Sequence, residues 1–281
     1  MNSIEFQEKF ASHPRDVKHY DTSLLREEFL IETLFEVDKI NLVYTGYDRF
    51  IVGGAIPQNS SLKLEAIDPM KASYFCERRE LGIINIGGLA QIIVDEHIYD
   101  LGNKEAIYIA KGAKEVELVS MDKNQPAILY LNSAPAHKTF TNKLIKQTDV
   151  NIMELGNEKD ANKRCIRQFI VAATCETCQL QMGITELQPG SVWNTMPAHT
   201  HSRRMEVYLY TDVPENQAIC HFMGEPNETR HIWMKNNQAV ISPNWSIHSA
   251  AGTSNYSFVW GMAGENLDFK DMDVISPIDL K

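Results

Sequence analysis

Short runs of β-branched and aromatic residues recur along most of the chain, and this pattern limits the fold more than any other feature. Glycine, proline, asparagine and aspartate separate the runs, as expected where tight turns join strands. Clear examples are RFIVGGAIP, EAIYIAKG and KEVELVSMD in the first half, and MEVYLYTDV, QAICHFMG and YSFVWGMAG in the second. Such regular spacing predicts an all-β chain, built as sandwiches or barrels.

A different pattern precedes these runs. The segment SLLREEFLIETLF, from Ser23 to Phe35, places leucine and phenylalanine among charged residues at helical spacing. Asp21 or Ser23 could cap its start. We therefore expect a short N-terminal helical segment before the β structure.

The two halves of the chain repeat the same features in the same order. IVGGAIP resembles QMGITELQPG, CERRELGIINIGG resembles HSRRMEVYLYTDV around a paired arginine, and AIYIAKGAKEVELVS resembles AVISPNWSIHSAAG. Residues 137–164, which are polar and show little alternation, are interpreted as the connection. An internal duplication explains the order. It predicts two β-barrel domains, residues 1–150 and residues 151–281.

Three histidines and a glutamate in the second half suggest a metal site. His199 and His201 are two residues apart, so on a strand their side chains share one face. SRR would make a turn to the next strand, which carries Glu206, and His248 follows a turn that begins at a proline. Most isolated H-x-H pairs bind no metal, but the added glutamate, histidine and β setting favour a site. Three imidazoles and one carboxylate suit Zn²⁺, Fe²⁺, Mn²⁺, Ni²⁺ or Co²⁺.

The first half lacks these ligands. When the paired arginines are aligned, Tyr74 and Cys76 fall at the places of the first two histidines. Glu115 and Val116 fall near the place of the third histidine. We therefore expect the metal in the second half alone, with an N-terminal barrel that lacks metal ligands.

Other motifs have plainer interpretations. The pair in CETC, Cys175 and Cys178, has neither the second pair of a structural zinc site nor the βαβ setting of a redox motif, so buried or edge-strand cysteines are expected. His221 and His231 are interpreted as ordinary strand histidines.

Charge and hydropathy exclude some partners. A formal net charge of -10 argues against nucleic acid or an anionic membrane as the main partner. The N-terminus has no apolar signal region, and no run of about 18 apolar residues occurs. Five cysteines, an odd number, do not form a secreted disulfide framework. These features predict a cytoplasmic protein.

The metal motif carries a resemblance. The spacing H-x-H-x4-E, followed by P-x4-H, resembles the two-part motif of the cupins, and two copies resemble a bicupin. Longer stretches, YFCERRELGIINIGG, AKGAKEVELVS, ETCQLQMGITELQPGSVWNTMPAHTHSRRMEVYLY, GEPNETRHIWM and AVISPNWSIHSAAGTSNYSFVWGMAGEN, closely resemble the 5-keto-4-deoxyuronate isomerase family of pectin degradation. This family is also called 4-deoxy-L-threo-5-hexosulose-uronate ketol-isomerase. The resemblance covers nearly the whole chain.

The resemblance implies a cytoplasmic, zinc-containing bicupin that assembles as a homohexamer. It implies one Zn²⁺ per chain, held by His199, His201, Glu206 and His248. It also implies that the small-molecule substrate, 5-dehydro-4-deoxy-D-glucuronate, is converted to 3-deoxy-D-glycero-2,5-hexodiulosonate.

That reaction moves a carbonyl group from C1 to C2, so hydrogen must pass between neighbouring carbons. Glu186 and Tyr208 are candidates for the proton-transfer residue, although a hydride shift would need no base. Arg203, Arg204 and Arg230 are the candidates for binding the substrate carboxylate.

Two alternatives accompany the isomerase hypothesis. Three histidines and one glutamate also suit an iron-dependent cupin dioxygenase, which would consume oxygen. A bicupin with a structural metal and a binding or regulatory role, as in pirin-like proteins, would turn over no deoxyuronate.

Overall fold

The structure is a computed structural model, and it describes residues 4–265, 267 and 271–281. Strands dominate it, and the two α-helices, Pro14–Val17 (α1) and Thr22–Phe29 (α2), lie near the N-terminus. Single 3-10 turns occupy Asp68–Met70, Phe75–Glu77 and Pro277–Asp279. The predicted all-β class with a short N-terminal helical segment is confirmed. None of the helices in the described residues has the length and apolar character needed to cross a membrane.

Twenty-four strands are found in the described residues. Those of the first half are β1 (Ile4–Lys9), β2 (Leu30–Ile31), β3 (Ile40–Thr45), β4 (Ile51–Ala55), β5 (Leu62–Lys63), β6 (Arg79–Asn85), β7 (Ala90–Val94), β8 (His97–Leu101), β9 (Ala106–Ile109), β10 (Val116–Ser120), β11 (Leu129–Pro135) and β12 (Lys143–Ile145). Those of the second half are β13 (Asn151–Leu155), β14 (Arg164–Ile170), β15 (Gln181–Leu187), β16 (Trp193–Asn194), β17 (His199–Thr200), β18 (Arg204–Thr211), β19 (Ile219–Glu225), β20 (Glu228–Met234), β21 (Gln238–Ser242), β22 (Ser249–Gly252), β23 (Ser257–Gly264) and β24 (Asp273–Val274).

The chain divides into two compact units. The first comprises Met1–Lys9, Thr33–Asn151 and Gln168–Met182, and the second comprises Phe10–Glu32, Ile152–Arg167 and Gly183–Lys281. One unit boundary, after Asn151, lies beside the predicted domain boundary. Two segments depart from a simple division at that point: residues 10–32 belong to the second unit, and residues 168–182 belong to the first. Residues 10–32 belong to the second unit because β2 pairs with β21 through Leu30 and Val240.

A buried carboxylate explains why residues 168–182 belong to the first unit. Glu80 accepts hydrogen bonds from the backbone N–H groups of Cys178, Gln179 and Leu180, each at 2.8 Å. It also accepts one from the hydroxyl of Tyr108 at 2.9 Å. Four donors satisfy a carboxylate that is fully buried, so the 178–180 backbone is tied to the first unit.

Two pairs of sheets share the same strand order, and a further two-stranded sheet joins β17 and β24. In the first unit the orders are β1-β3-β4-β11-β6-β9-β12 and β5-β10-β7-β8. The matching orders later in the chain are β13-β14-β15-β23-β18-β21-β2 and β16-β22-β19-β20. The three pairs of similar sequence segments lie on corresponding strands: β4 and β15, β6 and β18, and β9–β10 and β21–β22. The predicted duplication is therefore present in the topology.

The N-terminal helix is shorter than predicted. The Asp21 carboxylate caps α2 by accepting a hydrogen bond from Leu24 N at 2.8 Å, as one of the two predicted caps. The helix ends at Phe29 instead of Phe35. It ends there because Leu30 is extended and begins β2, so sheet pairing takes over the backbone.

The segment 137–164 is more than a connection, and this prediction was wrong. It contains β12, β13 and the first residue of β14. All five residues of β13 are exposed, so this edge strand has no buried face to impose alternation. The missing alternation explains why the sequence pattern did not reveal it.

Candidate metal centre

Four predicted ligands come from three separate parts of the second unit. His199 lies on the short strand β17, and the chain turns at Ser202 and Arg203 before β18, as predicted. Glu206 is the third residue of β18, and His248 directly precedes β22. The structure brings these four side chains together into one group that could hold a metal ion.

The ligand atoms converge closely. His199 Nε2 lies 3.1 Å from His201 Nε2 and 3.0 Å from His248 Nε2. Glu206 Oε2 lies 3.2 Å from His201 Nε2 and 3.0 Å from His248 Nε2. Donor atoms spaced in this way can surround one ion at the roughly 2 Å that Zn²⁺ prefers for nitrogen and carboxylate oxygen. The donor set therefore fits a divalent transition-metal ion.

The surroundings of His199 and Glu206 favour the protonation states in which these two groups bind metals. Burial, together with the nearby imidazoles of His248 and His201, lowers the pKa of His199 to about 2, which leaves its nitrogen free to bind a cation. Burial opposes ionisation of Glu206, but His248 and the hydrogen bonds from His201 and His248 outweigh it, so the pKa of Glu206 lies well below its ordinary value. Neutral imidazole and ionised carboxylate are the forms that bind metals.

Further contacts orient the ligands. His248 Nδ1 lies 3.2 Å from the hydroxyl of Ser242, and His201 Nδ1 lies 3.5 Å from a carboxylate oxygen of Asp271. Arg204, which is buried, lies 2.7 Å from the same Asp271 oxygen and also contacts His201 Nδ1. Partners on the outer nitrogen of a ligating histidine fix its ring orientation. No sequence pattern indicated Ser242 or Asp271, because both reach the histidines only through the fold.

The C-terminal segment contacts residues 198–202, the stretch that carries His199 and His201. Val274 of β24 pairs with His199, and Ile275 N donates to Ala198 O at 2.9 Å. Asp273 accepts a hydrogen bond from the hydroxyl of Ser202 at 3.1 Å. Two histidine ligands are therefore positioned by a segment about 70 residues further along the chain.

The corresponding interior of the first unit is apolar. The strand registers match five positions, and in the first unit these hold aliphatic side chains of one buried cluster, Leu81, Ile83, Ile92, Ile109 and Val116. In the second unit the same positions hold, in the same order, Glu206, Tyr208, His221, Ser242 and His248. The same scaffold thus carries an aliphatic core in one unit and the polar cluster in the other.

Aromatic residues continue the polar interior. The rings of Tyr208 and His248 have centroids 5.5 Å apart, and Tyr208 Oη lies 3.2 Å from Thr195 Oγ1. Burial and the charge of Glu206 raise the pKa of Tyr208 well above its ordinary value. The phenol therefore stays protonated and can donate a hydrogen bond.

The other candidates are placed as follows. Glu186 pairs with Arg167 at 2.9 Å and, by alternation along β15, lies on the opposite face from Gly183, where a side chain would meet the ring of Trp260. Arg203 is exposed and pairs with Glu265. The structure does not bring Glu186 or Arg203 to the four ligands.

Of the remaining arginine candidates, Arg204 contacts His201 as described. Arg230 donates to the backbone carbonyls of Val17, Lys18 and Tyr20, so its role in the structure is to hold the N-terminal helical segment. His221, interpreted from the sequence as an ordinary strand histidine, is buried beside this interior, and its Nδ1 lies 2.8 Å from Tyr210 Oη.

The cysteines form no second centre in the part of the chain that the structure describes. All five are free thiols, and Cys175 is buried while Cys178 is partly exposed. Burial raises the pKa of Cys175 to about 11, which makes it a poor nucleophile at neutral pH.

Comparisons with known proteins agree with this architecture. The chain is 59% identical, over 99% of its length and all of the relative's, to the 4-deoxy-L-threo-5-hexosulose-uronate ketol-isomerase of Formosa agariphila. It is 52% identical to the protein of the same name from Bacteroides fragilis, with 98% of this chain and 99% of the relative covered.

Solved structures with low sequence identity share the fold. An IolB-like protein of Salmonella typhimurium matches with a TM-score of 0.66 at 14% identity, covering 80% of this chain and 87% of that one. The oxalate decarboxylase of Bacillus subtilis, which has Mn(II) centres, matches with a TM-score of 0.56 at 10% identity, covering 80% and 71%. These likenesses confirm the predicted tandem of cupin-type β-barrels.

The predicted family resemblance is confirmed by a match that extends over most of the chain. Residues 34–276 match one family of proteins, and this range contains all four residues of the candidate metal centre. The chain belongs to the KduI/IolB family.

Proposed function

We propose that this protein is a metal-dependent aldose–ketose isomerase, an intramolecular oxidoreductase that converts 5-dehydro-4-deoxy-D-glucuronate to 3-deoxy-D-glycero-2,5-hexodiulosonate in the degradation of pectin. The relatives named as ketol-isomerases support the reaction class. The observation that carries the proposal is the convergence of His199, His201, Glu206 and His248 in the second unit.

These four residues would hold one divalent ion, and we propose zinc. When bound, such an ion supplies Lewis-acid stabilisation for negative charge that develops on neighbouring substrate oxygens. His199 presents a neutral nitrogen and Glu206 presents a carboxylate, because burial lowers the pKa of His199 and the contacts with His201 and His248 lower that of Glu206. Glu206 is therefore assigned to binding instead of proton transfer.

Tyr208 is the candidate for a hydrogen-bond donor to the substrate. Its raised pKa keeps the phenol protonated, and its hydroxyl lies near Thr195 in the same interior as His248. In the isomerisation one hydrogen leaves C2 and one arrives at C1, while the aldehyde oxygen becomes a hydroxyl and the C2 hydroxyl becomes a ketone. A donor near either oxygen stabilises the charge that passes through them.

Hydrogen can pass from C2 to C1 through a base or as a hydride. The two routes differ in D₂O, because exchange of an abstracted proton with solvent leaves deuterium at C1, whereas a hydride shift leaves none. Product formed in D₂O and examined by proton NMR therefore separates the two routes.

The function is tested by incubating purified protein with 5-dehydro-4-deoxy-D-glucuronate, with and without a chelator. Proton NMR follows loss of the C1 aldehyde or its hydrate and the appearance of CH₂OH next to a ketone. We expect turnover that disappears with chelator and returns with Zn²⁺. Turnover unaffected by thorough metal removal would contradict metal dependence.

Two results would favour the other hypotheses. Bound iron together with oxygen consumption would indicate a dioxygenase. Metal-loaded protein without turnover would indicate a binding or regulatory protein. The homohexamer and the cytoplasmic location are further proposals that rest on the family resemblance, and sedimentation equilibrium tests the first of them.

A further inference from the structure

The proposed substrate carries a carboxylate, which needs a cationic partner when it enters a partly buried site. Arginine suits this role because its planar guanidinium binds both oxygens of a carboxylate in parallel. The second unit contains an arginine, Arg164, that the sequence patterns did not single out and that differs in position and partners from Arg167, Arg203, Arg204 and Arg230.

Arg164 occupies an interior position of the second unit. It is the first residue of β14, as Ile40 is the first residue of β3, the corresponding strand of the first unit. Ile40 belongs to the buried apolar cluster of that unit. Cys165, the next residue, lies near Arg167 and Glu186 on the other face of the strand, so alternation directs Arg164 inward.

The surroundings of Arg164 connect it to the metal cluster. Arg164 and Tyr208 are near enough to each other to interact electrostatically. Tyr208 in turn packs against His248 with ring centroids 5.5 Å apart. Arg164 and His248 therefore both neighbour Tyr208.

The guanidinium of Arg164 has binding capacity in reserve. It donates one hydrogen bond, from Nη1 to Asn162 O at 2.9 Å. Within the described residues, no carboxylate forms an ion pair with it. A guanidinium carries five N–H donors and keeps its charge in proteins. A half-buried cation with so few partners favours an anionic ligand.

Other arginines of the second unit are already committed to the protein. Arg167 pairs with Glu186 at 2.9 Å, and Arg203 pairs with Glu265. Arg204 pairs with Asp271, while Arg230 holds backbone carbonyls. A substrate carboxylate at any of these four would have to compete with an existing partner.

We propose that Arg164 binds the carboxylate of the substrate, at the opposite end of the molecule from the carbon atoms that react at the four-ligand cluster. This proposal rests on the function proposed above. It assigns Arg164 to specificity for uronates over neutral sugars, a role in which it contacts the substrate without taking part in the hydrogen transfer.

The test compares Arg164→Gln and Arg164→Lys with Arg167→Gln, a control on the same strand but the opposite face. Each zinc-loaded protein is assayed with the deoxyuronate and with its neutral methyl ester. Binding of both compounds is measured in parallel by calorimetry on chelator-treated protein. Metal content and melting temperature are measured for every variant, which identifies any that misfold.

We expect Arg164→Gln to raise KM for the uronate about 10- to 100-fold with a smaller change in kcat, the range expected for a lost charge-assisted interaction. Arg164→Lys should recover part of the loss, and Arg167→Gln should resemble the wild type. The wild type should prefer the uronate to the ester, and Arg164→Gln should lose that preference.

A well-folded Arg164→Gln that keeps the wild-type KM and the preference for the uronate overturns the assignment while leaving the isomerase function standing. Wild type that binds the uronate in an Arg164-dependent way without turning it over supports the assignment and overturns the isomerase function. Wild type that neither turns over nor binds the uronate overturns both.

Discussion

The Nε2 atoms of His199 and His248 lie 3.0 Å apart, although the two residues are 49 positions apart in the chain. Burial lowers the pKa of His199 to about 2, so its imidazole is neutral at neutral pH and its Nε2 can offer a lone pair. Glu206 Oε2 lies 3.0 Å from the same Nε2 atom of His248, so three potential ligand atoms converge there. This spacing is what the ligands of one cation require.

Replacing one ligand should abolish metal binding. We expect the wild type to contain one zinc ion per chain, since the aliphatic positions of the first unit offer no matching donor set. His201→Ala should contain almost none, and its kcat/KM should fall by about two orders of magnitude or more. Elemental analysis and the NMR assay provide the measurements.

His231→Ala is the matched control, because His231 is an exposed histidine on β20. It should keep both the metal and the activity. Full metal content in His201→Ala would show that the ligand assignment is wrong, and two ions per wild-type chain would contradict a single site in the second unit.

Metal removal should destabilise the second unit selectively. An ion that binds only the folded state at about 1,000 times its Kd adds about 4 kcal/mol of stability, so chelation should lower the unfolding temperature by several degrees. All four tryptophans, Trp193, Trp233, Trp245 and Trp260, belong to the second unit, so their fluorescence reports its unfolding. Zn²⁺ should restore the transition, whereas Mg²⁺, which prefers oxygen ligands, should not. Identical transitions before and after chelation would count against the ion as a stabilising ligand.

His221 should make the second unit sensitive to acid. Burial lowers its pKa from 6.5 to about 3, so the folded chain keeps it neutral where the unfolded chain binds a proton. The stability from this group is complete above pH 6.5 and is lost as the pH falls from 6.5 towards 3. Between pH 7 and 4.5 the free energy of unfolding should fall by about 3 kcal/mol, because only the unfolded chain binds the proton over the two pH units below 6.5.

His221→Gln removes this titration while keeping a polar group beside Tyr210. Urea unfolding of chelator-treated protein, followed by tryptophan fluorescence, should show a weaker pH dependence for the variant over the same window. Equal slopes for the variant and the wild type would mean that His221 does not contribute to the linkage.

Asp271 should strengthen metal binding without touching the ion. Its carboxylate lies 3.5 Å from His201 Nδ1 and 2.7 Å from Arg204, so it can hold the ring of His201 and balance the buried guanidinium. Asp271→Asn should weaken zinc binding about 10- to 100-fold, as is usual for the partners of ligating histidines. Competition with a chromophoric chelator measures the Kd. Asp279→Asn, which alters an exposed carboxylate of the same segment, should leave it unchanged, and an unchanged Kd in Asp271→Asn would exclude this role.

The duplication and the grouping of the four candidate ligands were predictable because each depends on a local pattern. Alternation brings His199 and His201 to one face, and the adjacent arginine pairs, Arg78–Arg79 and Arg203–Arg204, set the alignment of the two copies. The second arginine of each pair is the first residue of its strand, β6 or β18. Local spacing was therefore enough to predict the repeated topology, because the same strand order occurs in both pairs of sheets.

Residues whose importance depends on distant contacts were not predictable in this way. Asp271 approaches His201 only because β24 pairs with β17, and two-residue strands leave no periodic trace. Arg164 begins a strand whose predecessor, β13, is exposed throughout, so the pattern around it resembled a loop. The exchange of residues 10–32 between units likewise rests on the two-residue pairing of β2 with β21.

The aliphatic interior of the first unit and the polar interior of the second have opposite effects on folding. Desolvating Glu206, His221 and their neighbours opposes folding, whereas desolvating Leu81, Ile92 and their neighbours promotes it. The interior of the first copy therefore stabilises its own fold, whereas the second copy must offset the desolvation of its interior by hydrogen bonds among these groups or by a bound cation.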